Sequence, residues 1–253
     1  MDVVRYGVIG CGMMGQEHLR AIGLLPRTEV VAYVEPDDAM AAAARSLTPG
    51  AQKLPDADTL LARDDIDCVL IASPNHIHVD QLEALARHRA VPVLVEKPLF
   101  VDRSERARID AIAASYPAPI WVAMEYRFMP PIAEFLKAAE TATGGIKMLT
   151  IREHRYPFLD KVGGWNRFNR LTGGTFVEKC CHFFDLMRLV LQSEPVRVMA
   201  SGAQDVNHLD ERIDGAVPDV FDNGYVIVEF ESGARAMLDL CMFAEGAEYQ
   251  EVL

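Results

Sequence analysis

The sequence predicts an α/β protein: a doubly wound parallel sheet over its first half, then a second α+β domain with an open antiparallel sheet. Two observations carry this expectation. Up to about residue 124, short β-branched runs alternate with stretches of helical character, the order of βαβ units on a parallel sheet. Beyond that point the alternation stops, and apolar residues recur at every second position on either side of Ser232 and Gly233, as in a tight hairpin. The expected division is therefore 1–124 and 125–253.

Each element has its own signal. Strands are expected over 3–9, 29–34, 67–72, 91–95 and 120–124. Helices over 14–25, 37–47, 79–89 and 103–115 lie between them, the last opened by Asp102 and Glu105 at the spacing of a capping box. In the second half a helix follows Pro130 and Pro131, because proline suits the first helical turn. A strand over 147–154, a polar-aromatic loop and a helix over about 174–191 come next. The remainder reads as strand, with 223–231 and 234–243 as the hairpin arms. Residues 249–253 read as the start of a further strand, an unclosed edge that suggests a fragment.

Composition narrows the function classes. Lys and Arg total 25 against 37 Asp and Glu, a formal net charge of -12 that repels phosphate backbones and anionic membranes, so neither nucleic acid nor membrane is an expected partner. No apolar run approaches the roughly 18 residues of a membrane span, and residues 1–7 read as a first strand rather than a signal peptide. The five cysteines are odd in number and fall mostly in apolar segments, the pattern of reduced thiols, which predicts a cytoplasmic protein.

The first expected strand runs into Gly10, Cys11, Gly12, Met13, Met14, Gly15 and then a helix. Glycines at this spacing permit a tight turn and bring the amides of a helix N-terminus up to a pyrophosphate, the Rossmann dinucleotide fingerprint. Glu35 ends the second strand at the roughly 20-residue spacing of a ribose-binding acid. Its charge would repel a ribose 2′-phosphate, which predicts NAD over NADP; the alternative is an ordinary strand-end carboxylate before Pro36. Ser73, Pro74, Asn75, His76, Ile77 and His78 follow a buried strand, where open α/β sheets place ligands, and are read as a cofactor-contacting loop. His76 and His78 lack a Cys or carboxylate at ligand spacing, so no metal is expected.

Glu96, Lys97 and Pro98 end the next strand, and a later helix carries Glu178 and His182. These motifs, in this order with the glycine loop and the 73–78 loop, resemble the glucose-fructose oxidoreductase and inositol dehydrogenase family, Gfo/Idh/MocA. The resemblance implies a Rossmann domain followed by an α/β domain whose open sheet supports a homodimer or homotetramer. It also implies oxidation of a sugar or cyclitol hydroxyl, with Lys97 near the nicotinamide and His182 as acid/base. Arg127, in Tyr126-Arg127-Phe128, matches a recurrent family segment and receives no role. The chain departs from the family's helix pattern with Glu178 for Asp and Cys180 for Gly, and a carboxylate longer by one methylene moves its oxygens by roughly 1.5 Å. Substrate identity is what that departure puts in doubt.

Read as one helix, Glu178, His182 and Asp185 fall within about 60° of one another, on a stripe flanked by Leu186 and Leu189. The expected chemistry is NAD-dependent oxidation of a secondary hydroxyl on a sugar, polyol or cyclitol. His182 takes the proton, because imidazole titrates near neutrality; Lys97 assists at the same oxygen and Glu178 orients a neighbouring hydroxyl. Rival readings are an NAD-dependent glycosidase of the same fold and a non-catalytic NAD-binding regulatory protein. Adjacent Cys180 and Cys181 point about 100° apart and are expected to pack rather than to converge on a metal.

Overall fold

A computed structural model of the chain describes residues 3–253, apart from the side chain of residue 140. It separates into two compact units, Met1–Ala123 with Lys161–Trp165 and Arg170–Thr172, and Met124–Asp160 with Asn166–Asn169 and Gly173–Leu253.

In the first unit β1 (Val4–Ile9), α1 (Met13–Leu24), β2 (Thr28–Val34), α2 (Asp38–Leu47), β3 (Gln52–Leu54), α3 (Ala57–Leu61), β4 (Cys68–Ile71), α4 (His78–His88), β5 (Val93–Val95), α5 (Arg106–Ser115) and β6 (Ile120–Val122) follow in order. The strands form one sheet in the order β3-β2-β1-β4-β5-β6, with every pairing parallel. Helices cover both faces of such a sheet, so its strands read as continuous apolar runs: Val8, Ile9, Val69, Leu70 and Ile71 are all buried. Strand order reverses between β1 and β4, and the crevice beyond their C-terminal ends is where doubly wound sheets take ligands. The Asp102–Glu105 capping box is present. The sequence reading passed over β3, which is three residues long, and α3, although Asp56 caps α3 by accepting from the Thr59 amide at 2.7 Å.

The second unit holds α6 (Pro130–Thr143), β7 (Met148–His154), α8 (Thr175–Glu178), α9 (Cys181–Leu191), β8 (Pro195–Ala203), β9 (Asn223–Phe230), β10 (Arg235–Cys241) and β11 (Glu251–Val252); the short α7 (Asn169–Thr172) precedes α8. The hairpin turns at Ser232 and Gly233 as expected, with Arg235 opposite Glu229. The sheet, in the order β11-β7-β10-β9-β8, is mixed rather than wholly antiparallel, because β10 runs parallel to β7. The physical reason is connectivity. After β7 the chain returns along α9 to the end where β7 began, and the β8-β9-β10 meander then reverses twice, so β10 lands on β7 in the same direction.

Phe183, Leu186 and Met187 of α9 pack on one face of this sheet against Ile151, Val228 and Leu238. Alternation along the strands leaves Met148, Tyr225 and Ile227 exposed on the other. The expected helix over 174–191 is two helices. At Lys179 and Cys180 the ladder widens, with the Cys180 amide reaching the Thr175 carbonyl five residues back at 3.3 Å. The even 100° spacing from Glu178 to His182 therefore does not hold.

Candidate active site

In the first unit the chain leaves β1 at Gly10 with φ of 91°. A Cβ there would lie 2.6 Å from the backbone of Ala72 and Ser73, and one at Gly15 would collide with the Gly10 carbonyl. Both glycines are therefore required by the packing of the loop against β4 and α1. Gly12 differs: a Cβ on it would meet nothing within 4 Å, so its missing side chain leaves open space at the start of α1. Gly12 caps α1 without a side-chain hydrogen bond, and no acidic residue occupies the first turn. The positive end of the helix is left to an external anion. Met13 and Met14 flank that end, both exposed.

Glu35 is buried, and its Oε2 accepts from the Cys11 amide at 2.7 Å while Oε1 accepts from the Asp37 amide at 2.9 Å. The expected ribose acid thus clamps the glycine loop to the end of β2, and a carboxylate's four lone-pair sites leave two for hydroxyls. Burial, with Glu35 alongside, pushes the Cys11 thiol up to about 12. Past β4, the Ser73 hydroxyl donates to Gln81 Oε1 at 2.6 Å. Pro74 leads into a turn in which Asn75 is buried and its Nδ2 has no hydrogen-bond partner among the described residues. Such a donor fits a ligand at this loop.

His78 is fully buried, with Nδ1 2.9 Å from the Pro98 carbonyl and Nε2 2.9 Å from the Ser73 carbonyl. It ties the loop after β4 to the loop after β5; burial holds its pKa down against these two carbonyls, which favour the charged ring. Buried Glu96 accepts from His18 of α1 at 2.6 Å and from the Lys97 amide at 3.1 Å. Burial raises the Glu96 carboxyl, but His18 and Lys97 outweigh it and leave it below the usual range. Lys97 follows directly, beyond the C-terminal end of β5.

In the second unit His182 stands in the first turn of α9 and is 2% exposed. The ring of Tyr126 stacks on it at 4.3 Å and 10°, and its Nε2 lies 3.5 Å from Glu125 Oε1. Glu178, at the end of α8, is buried as well. Asp185 pairs with Arg127 rather than with His182, both oxygens accepting from the guanidinium at 2.5 Å. That gives Arg127 a structural task, holding the segment that carries Tyr126 against α9.

The family model for the oxidoreductase family with an NAD-binding Rossmann fold, GFO_IDH_MocA, matches residues 4–124, and that for its C-terminal alpha/beta domain matches residues 141–252. The chain belongs to the Gfo/Idh/MocA oxidoreductase family. Inositol 2-dehydrogenase of Rhizobium meliloti (strain 1021) is 30% identical over 242 residues, 93% of this chain and 68% of that protein. Inositol 2-dehydrogenase of Corynebacterium glutamicum (strain R) is 31% identical over 197 residues, covering 77% of this chain and 56% of that one. Among solved structures, the WlbA dehydrogenase from Bordetella pertussis, in complex with NADH and UDP-GlcNAcA, superposes with a TM-score of 0.81 at 23% identity, over 98% of this chain and 69% of that one. The chain thus spans between just over half and about two thirds of these relatives' lengths.

In this Gfo/Idh/MocA chain the glycine loop, Glu35 clamp and Asn75 donor fit NAD, the cofactor of the family's Rossmann domain. Several site residues were missed by the sequence reading. His18 holds Glu96 from 78 positions away. Lys179 Nζ lies 2.6 Å from the Tyr126 hydroxyl, 3.1 Å from Glu251 Oε1 and 3.2 Å from Glu153 Oε1. A lysine in a mostly apolar stretch, directly after Glu178 and three residues before His182, was the one available signal for this cluster; Glu153 and Glu251 sit in strands with nothing to single them out.

Proposed function

We propose that the protein oxidises a secondary hydroxyl of a sugar, polyol or cyclitol with NAD, with His182 as the proton acceptor. The observation that carries this reading is His182 itself: a buried imidazole held flat by Tyr126, in a family whose Rossmann domain binds NAD. A bound nicotinamide supplies the hydride acceptor. His182 removes the hydroxyl proton as the carbinol carbon gives up its hydride, and Lys97 assists as alkoxide character develops. Glu178 accepts from a neighbouring hydroxyl and so selects among polyols. The inositol 2-dehydrogenase relatives support a cyclitol or sugar as substrate.

The division at 124/125 assigns cofactor binding to the first part and substrate selection to the second. Exposed Met148, Tyr225 and Ile227 on the outer sheet face support a homodimer or homotetramer through that sheet. Five free cysteines, with no described helix long and apolar enough to cross a membrane, support a cytoplasmic protein. The test is a panel of sugars, inositols and their keto forms with NAD and NADP, followed by reduced-nicotinamide absorbance. NAD-linked turnover on at least one polyol that is lost in His182→Ala supports the reading, and equal turnover in that variant refutes the role of His182.

A further inference from the structure

A group of buried titratable side chains lies behind His182, and the oxidation mechanism does not use it. Lys179 is 7% exposed and Glu153 is fully buried on β7. The Lys179 ammonium donates to the Tyr126 hydroxyl, and that hydroxyl donates in turn to Glu251 Oε1 on β11. Arg155 at 3.5 Å and Gln250 at 3.3 Å complete the contacts of Glu153 Oε1, while Glu153 Oε2 has no hydrogen-bond partner among the described residues. Burying the Lys179 ammonium and the Glu153 carboxyl, with Glu251 partly buried beside them, is costly unless they satisfy one another. Hydrophobic replacements would pack the same space at no such cost, so a polar cluster here calls for a task.

Tyr126 gives it one. One face of its ring lies against His182, and its hydroxyl is gripped by Lys179 and Glu251. We propose that Lys179, with Glu153 and Glu251, is a positioning residue for His182, acting through the Tyr126 ring that it anchors and through the charge it places behind the imidazole. The proposal rests on the reading of His182 as the acid/base. The anchored hydroxyl fixes the ring plane, and an aromatic face favours imidazolium over imidazole. Lys179 Nζ is 5.0 Å from the Tyr126 ring centre, and that ring is 4.3 Å from His182, so the ammonium lies within about 10 Å of the imidazole and acts on its proton affinity. The charges facing this group come from Lys179 itself, Glu153 and Arg155 at the end of β7, Glu251 on β11 and Glu125 beside Tyr126. Burial, opposed by Lys179 and reinforced by the Glu251 charge, pushes the Glu153 carboxyl up to about 7, so the cluster changes charge near neutrality.

The test is the titration midpoint of His182, followed by NMR of its ring in the labelled protein and identified by its loss in His182→Asn. No substrate is needed. Glu153→Gln removes a negative charge and lowers the midpoint by about half a unit; Lys179→Met removes a positive one and raises it by up to about one unit. Opposite signs are the signature, because general loosening of the fold would move both variants the same way. Lys179→Arg restores the wild-type midpoint. Tyr126→Phe keeps the ring and the charges but frees the anchor, so turnover falls about tenfold with NAD affinity unchanged. Should Lys179→Met fail to fold, Glu153→Gln decides alone. An unmoved midpoint in Glu153→Gln, or shifts of one sign in both variants, overturns the proposal. Turnover that survives in His182→Ala while the midpoints move as expected would instead sink the functional reading and leave the coupling standing.

Discussion

Replacing Gly12 by alanine separates nucleotide binding from folding. The residue's φ of -64° and ψ of -162° are open to alanine, and the new Cβ would meet nothing within 4 Å. Stability should stay within about 1 kcal/mol of wild type, because alanine narrows the unfolded ensemble but is a poorer N-cap than glycine. The cost falls on the ligand. A methyl group in that open space would hold a diphosphate off the helix-terminal amides and would cost it about two charged hydrogen bonds. At about 1.5 kcal/mol each, the loss is about 3 kcal/mol, or roughly 150-fold in Kd. Calorimetric titration with NAD beside urea unfolding reads both quantities. Gly10→Ala is the contrast: with φ of 91° and a contact of 2.6 Å to Ala72 and Ser73, it should lose stability by about 2–4 kcal/mol as well as binding. A Gly12→Ala protein that binds NAD within threefold of wild type would refute the assignment of this space to the diphosphate.

Other outcomes follow from the same contacts. His182→Ala should leave the NAD Kd unchanged and cut turnover by about a hundredfold or more, measured by steady-state absorbance and calorimetry on one preparation. Glu35→Ala removes the acceptor of the Cys11 and Asp37 amides, so it should both destabilise the fold by about 1–3 kcal/mol in urea and narrow the preference for NAD over NADP. Glu153 is raised from its ordinary 4.5 to about 7, so in that window the folded chain holds a proton that the unfolded chain has lost, and this group's contribution to stability falls as pH rises through it. Urea midpoints compared at pH 5 and pH 8 should show a smaller decline in Glu153→Gln than in wild type.

How much of the site could be read in advance depends on how far apart its partners lie in the chain. The glycine loop, Glu35 and the 73–78 loop are local motifs whose function follows from strand, turn and helix in sequence, and the structure places each at the C-terminal edge of the parallel sheet. His78 was legible as a loop residue, but not as a clamp, since Pro98 is 20 positions away. The hairpin over β9 and β10 announced itself by alternation, whereas the parallel register of β10 on β7 depends on 80 residues of intervening chain path. The break at Lys179 also escaped, because the apolar spacing runs on across it and the departure lies in backbone hydrogen bonds, five residues back from Cys180 and three back from Phe183.

Periodicity and turn chemistry, both short-range, therefore determined the fold class, most of the longer elements and the dinucleotide loop from the sequence alone. Tertiary structure decided the charges behind His182: Tyr126, Glu153, Lys179 and Glu251 converge from four separate segments. Burial in one unit is what turns those ordinary residues into a cluster, because the loss of water makes each group's proton depend on its neighbours.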